Sequence, residues 1–154
     1  MRRPSRRVVL TGLVGATALG LTAYSLAGPT YGATLTPAQA LAAAQAGTIL
    51  FVDIRRPEEW ERTGIAQGAV PIDMRRGDFI DAVLAARGSP TQPIALICAR
   101  GVRSARVTRV LTQSGLTPII DIPEGMLGSF AGPGWLRQGL PVTTWTHTGE
   151  ENNT

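Results

Sequence analysis

The chain has 154 residues, of which 44% are hydrophobic and 17% charged, so it is long enough for one ordinary globular domain and short for two. All 15 basic residues are arginines, and four of them lie at Arg2, Arg3, Arg6 and Arg7. The remaining arginines balance the 11 acidic residues, which excludes a basic surface built to bind nucleic acid. One Cys and one His exclude a disulfide framework and a conventional structural zinc site.

Residues 1–33 are predicted to be an export signal. The four arginines precede an uncharged apolar run at residues 8–27, which is the order of an n-region and an h-region. Paired arginines before apolar residues, at 5–10, resemble a twin-arginine signal, although ordinary secretory signals also carry such pairs. The pattern predicts recognition by the export machinery and a periplasmic or secreted protein. Cleavage after Ala27 and after Ala33 both remain open, and an uncleaved leader would anchor the chain in the membrane.

The rest of the chain alternates between helical and strand patterns. Thr36 followed by Pro37 is an N-cap signal for an alanine-rich helix that Gly47 ends. Continuous apolar runs then predict buried strands. The predicted elements, in chain order, are a helix at 38–46, a strand at 48–54, a helix at 57–62, a strand at 70–72, a helix at 78–87, a strand at 94–97, a helix at 104–114 and a strand at 119–122. This alternation predicts an α/β layered domain with a mostly parallel sheet.

Two of the predicted helices are amphipathic. The helix at 78–87 places apolar residues at helical spacing, and the helix at 104–114, capped by Ser104, does the same. The residues predicted to face the core are Phe79, Val83 and Leu84 in the first helix, and Val107, Val110 and Leu111 in the second.

Cys98 lies between a predicted buried strand and a predicted helix N-terminus. Ligands of open α/β sheets bind at such positions, where unpaired helix N–H groups favour negative charge. Gly101 permits a turn that brings N–H groups toward the sulfur, and Arg100 and Arg103 add positive charge, so the thiolate is favoured. The sequence therefore predicts a nucleophilic cysteine. The alternative is an ordinary buried cysteine at a strand end.

Several segments together resemble the rhodanese-like domains, in that family's order and spacing, over residues 35–142. They are DIRRPEEW at 53–60, GIAQGAV at 64–70, CARGVR at 98–103, and PEGM at 123–126 with WLRQGLP at 135–141. The resemblance implies a three-layer α/β/α fold over residues 34–154 and sulfur-transfer chemistry, with no metal and no cofactor.

The resemblance also assigns roles to single residues. Cys98 would carry the transferred sulfur as a persulfide, and the positively charged loop is of the kind that goes with thiosulfate. The substrate-binding residues would be Arg100, Gly101, Val102 and Arg103. The implied partners are a small sulfur-containing anion and a thiol or cyanide acceptor, and the oligomeric state stays open.

Other residues of these motifs have structural interpretations. Asp53, Arg55 and Glu59 are expected to support the site by fixing a turn through charge-assisted hydrogen bonds. The tryptophans are expected to pack rather than react. His147 lies in a polar tail, so a catalytic triad is not expected.

The chain departs from the family pattern in two places. Gly64 is followed by Ile65 where the family often has a histidine, and the stretch GMLGSFAGPG at 125–134 inserts extra residues before Trp135.

Two other function classes remain. A phosphatase of the related fold would need an arginine six residues after the cysteine, whereas Arg103 is fifth and Ser104 sixth. A sulfur carrier or protein-binding module that does not turn over is the other alternative.

Overall fold

The computed structural model describes residues 33–146, so most of the predicted leader and His147 lie outside the described residues. The helices are α1 (Pro37–Gln45), α2 (Pro57–Thr63), α3 (Phe79–Ala86), α4 (Val102–Gln113) and α5 (Gly134–Arg137). The strands are β1 (Leu50–Asp53), β2 (Ile65–Ala66), β3 (Val70–Pro71), β4 (Ile94–Ile97), β5 (Ile119–Asp121) and β6 (Val142–Thr143). Within residues 33–146, no helix combines the length and hydrophobicity that a bilayer crossing requires.

The central sheet has four parallel strands in the order β3-β1-β4-β5. The strands β1 and β4 are buried along their whole length, as the continuous apolar runs predict for strands covered on both faces. A separate antiparallel pair joins β2 to β6. The predicted α/β architecture with a mostly parallel sheet is therefore confirmed.

Helices cover both faces of this sheet. Successive strand residues point to opposite faces, so Val52 belongs to one apolar cluster and Phe51 to the other. The Val52 cluster is completed by α3 and α4, and the Phe51 cluster by α1 and α5. Trp135 of α5 is fully buried against Phe51, with ring centroids 5.6 Å apart, which confirms its packing role.

The N-terminus of α1 is formed as predicted. Thr36 is the N-cap: its hydroxyl accepts a hydrogen bond from the backbone N–H of Gln39, whose side chain in turn accepts from the Thr36 N–H. Pro37 occupies the first turn.

Two residues that were predicted to face the core are exposed, so these predictions are wrong. Leu84 is 43% exposed and Val110 is 51% exposed. Each lies one residue away from the helix's buried stripe, which passes through Val83 in α3 and Leu111 in α4. One residue corresponds to a turn of about 100° around a helix, which carries a side chain from the core to the solvent.

Arg55 connects the end of β1 to the end of α2. Its Nε and Nη2 donate to both carboxylate oxygens of Asp53 at 2.8–3.0 Å. Its remaining N–H groups donate to the Thr63 hydroxyl, at 2.8 Å, and to the carbonyl oxygens of Glu59 and Gly64. Asp53 and Arg55 thus fix the turn as expected, whereas Glu59 contributes its carbonyl rather than its carboxylate.

We expect Arg55→Met to destabilise the domain by about 3–5 kcal/mol, because it leaves the buried Asp53 carboxylate unpaired. Urea unfolding measures the loss. The matched control is Arg75→Met, since Arg75 pairs with Asp73 at the same two-residue spacing but with an exposed side chain. That change is expected to leave the unfolding midpoint nearly unchanged. Equal losses in the two variants would contradict the role given to Arg55.

Candidate active site

The cysteine loop crosses the carboxyl edge of the central sheet. Cys98 follows β4 directly and is 1% exposed, so its sulfur lies beneath the loop and not on the surface. Gly101 caps α4 in the left-handed conformation, with φ of 79°. The loop thereby turns from strand into helix within residues 98–101, with the predicted turn at Gly101 but an earlier helix start than the sequence predicts.

A second turn, at residues 123–126, packs backbone to backbone against the cysteine loop. A Cβ on Gly101 would collide with the carbonyl of Pro123, and a Cβ on Gly125 would lie 2.7 Å from the carbonyl oxygen of Ala99. Both glycines also have positive φ. Only glycine satisfies the conformation and the spacing at these two positions.

Backbone hydrogen bonds join the two turns. The N–H of Met126 donates to the carbonyl of Cys98 at 2.9 Å, and the N–H of Leu127 to that of Ala99 at 2.8 Å. The segment that follows β5 therefore holds the cysteine loop in place.

Ser104 is the hydrogen-bond partner of the Cys98 sulfur. Its backbone N–H donates to Cys98 Sγ at 3.4 Å, and its hydroxyl oxygen lies 3.5 Å from the same atom. The hydroxyl donates to the carbonyl of Gly101. The sequence predicts that several N–H groups turn toward the sulfur. Among residues 33–146, one N–H, that of Ser104, donates to it.

The predicted capping role of Ser104 is wrong, because α4 begins two residues earlier, at Val102. Ser104 instead lies in the first turn, where helix N–H groups have no partner within the helix. Placing the N-cap at Gly101 would have revealed this contact from the sequence.

Arg103 is held beside the loop by Glu59. Its two Nη atoms donate to the two carboxylate oxygens of Glu59 at 2.6 and 2.8 Å, joining α4 to α2. The hydrogen bonds that Arg103 donates to Glu59, and to a smaller degree the negative charge of Glu59, raise the pKa of Arg103. Burial alone would raise the pKa of Glu59, but its hydrogen bonds to Arg103 and to the Arg56 N–H lower it overall. Glu59 therefore positions Arg103.

The other predicted substrate-binding side chains lie outside the loop's interior. Arg100 is exposed, and Val102 is 78% exposed at the start of α4. The structure thus places Cys98 and Gly101 within the loop, pairs Arg103 with Glu59 beside it, and leaves Arg100 and Val102 on the adjoining surface.

Asp121 ends β5 at the same edge of the sheet, and the motifs did not reveal it. It is 8% exposed, and its Oδ1 is buried with no hydrogen-bond partner among residues 33–146. Burial raises the pKa of Asp121, while the Ser104 side chain partly lowers it. A buried carboxyl therefore lies under the residue that contacts the sulfur.

The chemistry available here is that of one thiol beside an N–H donor and a guanidinium. Such groups bind and stabilise anions. Across residues 33–146, no group of three or more His, Cys, Asp or Glu side chains is placed to hold a metal ion.

We expect Asp121→Asn to stabilise the fold at neutral pH. Since burial raises the pKa of Asp121, its ionisation opposes folding above that pKa. Below the ordinary value of 3.8 the carboxyl is protonated in both states, so the advantage of the variant should disappear. Urea unfolding across the pH range measures this. The exposed Asp81→Asn serves as control, and an equal gain there, or a gain that persists in acid, would contradict the assignment.

A model of one protein family matches this chain. It is described as a Rhodanese-like domain and covers residues 36–128, which include β1, β4 and the whole cysteine loop. No protein with a curated description matches the chain in sequence.

Solved structures are also similar. A protein of unknown function from Rhodopseudomonas palustris, described as a possible tyrosine phosphatase, is 28% identical, with a TM-score of 0.53 over 73% of this chain and 85% of that one. A protein from M. tuberculosis is 26% identical, with a TM-score of 0.57 over 75% of this chain and 100% of that one. The polysulfide-sulfur transferase homodimer of Wolinella succinogenes shares the fold, at 22% identity and a TM-score of 0.58 over 78% and 84% of the two chains.

Proposed function

The chain belongs to the rhodanese-like domain family, and from this premise we propose that it is a sulfurtransferase in which Cys98 carries the sulfur. The observation that supports this most directly is the contact between Cys98 Sγ and the Ser104 N–H in the first turn of α4. A sulfur atom at a helix N-terminus is suited to carry negative charge, first as a thiolate and then as a persulfide.

The proposed donor is thiosulfate. The Cys98 thiolate attacks the outer sulfur, a new S–S bond forms, and the S–S bond of thiosulfate breaks as sulfite leaves with the bonding electrons. A thiol or cyanide then attacks the outer sulfur of the Cys98 persulfide. The Cys98 thiolate leaves, and the product is a persulfide or thiocyanate.

Three residues in and beside the loop have separate roles in the proposed sulfur transfer. The Ser104 N–H stabilises the charge on the Cys98 sulfur through both steps. Arg103, positioned by Glu59, supplies positive charge near the reacting anions, and Arg100 attracts the thiosulfate dianion at the surface. The proposed reaction needs no histidine base.

The phosphatase description of the Rhodopseudomonas palustris protein raises the second function class. In this chain the sixth position after Cys98 is the buried Ser104, where a phosphate-binding loop of the related fold would need an arginine. Thiosulfate is the better match, because one sulfur atom has to enter the loop rather than three phosphate oxygens.

A sulfur carrier that does not turn over is favoured by one observation. Cys98 is 1% exposed, so a persulfide formed there would be sheltered from solvent. Turnover with cyanide distinguishes an enzyme from such a carrier, because a carrier would form the persulfide and release it slowly.

We further propose that residues 1–33 direct export of the domain at 34–154. The support is the order of paired arginines and an apolar run within residues 5–27.

Incubation with thiosulfate should add one sulfur atom to the protein, as intact mass shows, and Cys98→Ser should abolish both the addition and thiosulfate:cyanide activity. The variant should remain folded, since the exchange is nearly isosteric, and its unfolding midpoint checks this. Activity retained by folded Cys98→Ser would disprove the mechanism. Hydrolysis of an aryl phosphate that disappears in this variant would instead assign a phosphatase.

Arg103→Ala should lower kcat/KM for thiosulfate by an amount equivalent to about 1–3 kcal/mol, as for other lost charge-assisted contacts. Arg100→Ala should cost less, because Arg100 is exposed and solvent screens its charge. The control is Arg109→Ala, which removes an exposed arginine of α4. An equal loss in the control would show that only the overall charge of the helix matters.

A further inference from the structure

A surface groove of about 370 Å³ adjoins the cysteine loop. On one side lie Arg100 and Val102, which are two and four residues beyond Cys98. On the other side lie Leu127 and Phe130, from the stretch that the sequence inserts before Trp135. Because the Leu127 N–H donates to the carbonyl of Ala99, the wall of the groove is bonded directly to the cysteine loop.

Phe130 is fully exposed at the tip of this stretch. Its exposure does not come from a loosely held backbone. The Ser129 hydroxyl donates to the carbonyl of Pro123 at 2.7 Å and accepts from the Ala131 N–H at 3.1 Å, and the N–H groups of Ser129 and Gly132 each donate to the other's carbonyl. The loop therefore holds an aromatic ring in water, where its apolar surface is unfavourable until something covers it.

The base of the same loop is held by a buried acid. Glu124 is 7% exposed and accepts hydrogen bonds from the Gly134 N–H, at 3.0 Å, and from Gln138 Nε2, at 2.7 Å. A Cβ on Gly132 would lie 2.6 Å from the Glu124 carboxylate. These contacts give the inserted stretch one defined shape.

The groove is lined by apolar and by positively charged side chains. Val102 is 78% exposed and, with Phe130, offers apolar surface, while Arg100 and Arg137 both line the groove. Within residues 33–146, no acidic side chain lines it. Its electrostatic complement is a ligand that has an apolar side chain flanked by carboxylates.

We infer that this groove docks an acidic peptide segment of a partner protein, and that this segment carries the cysteine to which the sulfur is transferred. The inference rests on the proposed function, and it specifies the acceptor. Phe130 and Val102 cover an apolar side chain of the segment, and Arg100 and Arg137 pair with its carboxylates. Binding there brings the segment's thiol to the loop that contains Cys98.

The transfer itself is an exchange at sulfur. The segment's thiol loses its proton to solvent, and the resulting thiolate attacks the outer sulfur of the Cys98 persulfide. A new S–S bond forms on the segment, the S–S bond to Cys98 breaks, and Cys98 leaves as a thiolate. No oxidant or reductant is consumed.

The test uses short synthetic cysteine peptides as acceptors. One peptide has aspartates and a leucine beside the cysteine; in matched peptides, lysines replace the aspartates or serine replaces the leucine. Protein loaded with sulfur from thiosulfate should transfer it to the acidic, apolar peptide with a KM about tenfold lower than to either matched peptide. Added salt should reduce the difference. Equal KM values for the three peptides would overturn the inference.

Variants of the groove provide the second arm. Phe130→Ser and Arg137→Gln should each raise the KM for the acidic, apolar peptide several-fold while the rate with cyanide stays unchanged. The controls are Ile80→Ser and Arg109→Gln, which remove an exposed apolar side chain and an exposed arginine outside the groove lining. Controls that raise the KM equally would overturn the inference, as would a groove variant that leaves it unchanged.

A binding measurement separates this inference from the proposed function. The acidic, apolar peptide with serine in place of cysteine should bind the unloaded protein by calorimetry, and Phe130→Ser should weaken that binding. If no persulfide forms but this binding holds, the proposed function fails and the docking site stands. If a small thiol dicarboxylate shows the same dependence on Phe130, or if Phe130→Ser dissociates a dimer in light scattering, the groove serves another occupant and the inference is overturned.

Discussion

The close backbone approach between the turn at 123–126 and the cysteine loop is the constraint on which the rest of the site depends. Two glycines, Gly101 and Gly125, allow it, and hydrogen bonds to the carbonyls of Cys98 and Ala99 maintain it. This packing fixes where α4 begins, and therefore which N–H faces the sulfur. It also determines where the stretch after residue 126 leaves the sheet, and so places the groove beside the site.

The sequence carried enough information for the architecture and for the position of Cys98 at the edge of the sheet. The apolar runs that became β1 and β4 are long enough to identify buried parallel strands, and a cysteine directly after such a strand lies at the edge where ligands bind. The strands β2 and β6 could not be predicted, because each has only two residues, too few to show the alternation of apolar and polar residues that is typical of a strand. Leu84 and Val110 show a second limit: composition predicts an amphipathic helix, but neighbouring elements decide which apolar residues stay outside.

The contacts within the site were harder to predict because they join distant parts of the chain. Glu59 and Arg103 are separated by 44 residues, and nothing local distinguishes that pairing from one with Arg55. Asp121 has no motif, and only the packed structure shows that its carboxyl is buried near Ser104. Identifying the cysteine thus required only local features, namely its position after a strand and the glycine and arginines that follow it, whereas identifying its supporting residues required the arrangement of three elements.

The burial of Cys98 has a consequence for how long a bound sulfur would survive. A persulfide on an exposed side chain is lost to whichever thiol collides with it first. One formed on a residue that is 1% exposed meets only reagents that reach beneath the loop. Its lifetime is then controlled by how easily an acceptor reaches Cys98 rather than by the concentration of thiols in solution. The domain would therefore keep its sulfur until an acceptor of the right shape binds.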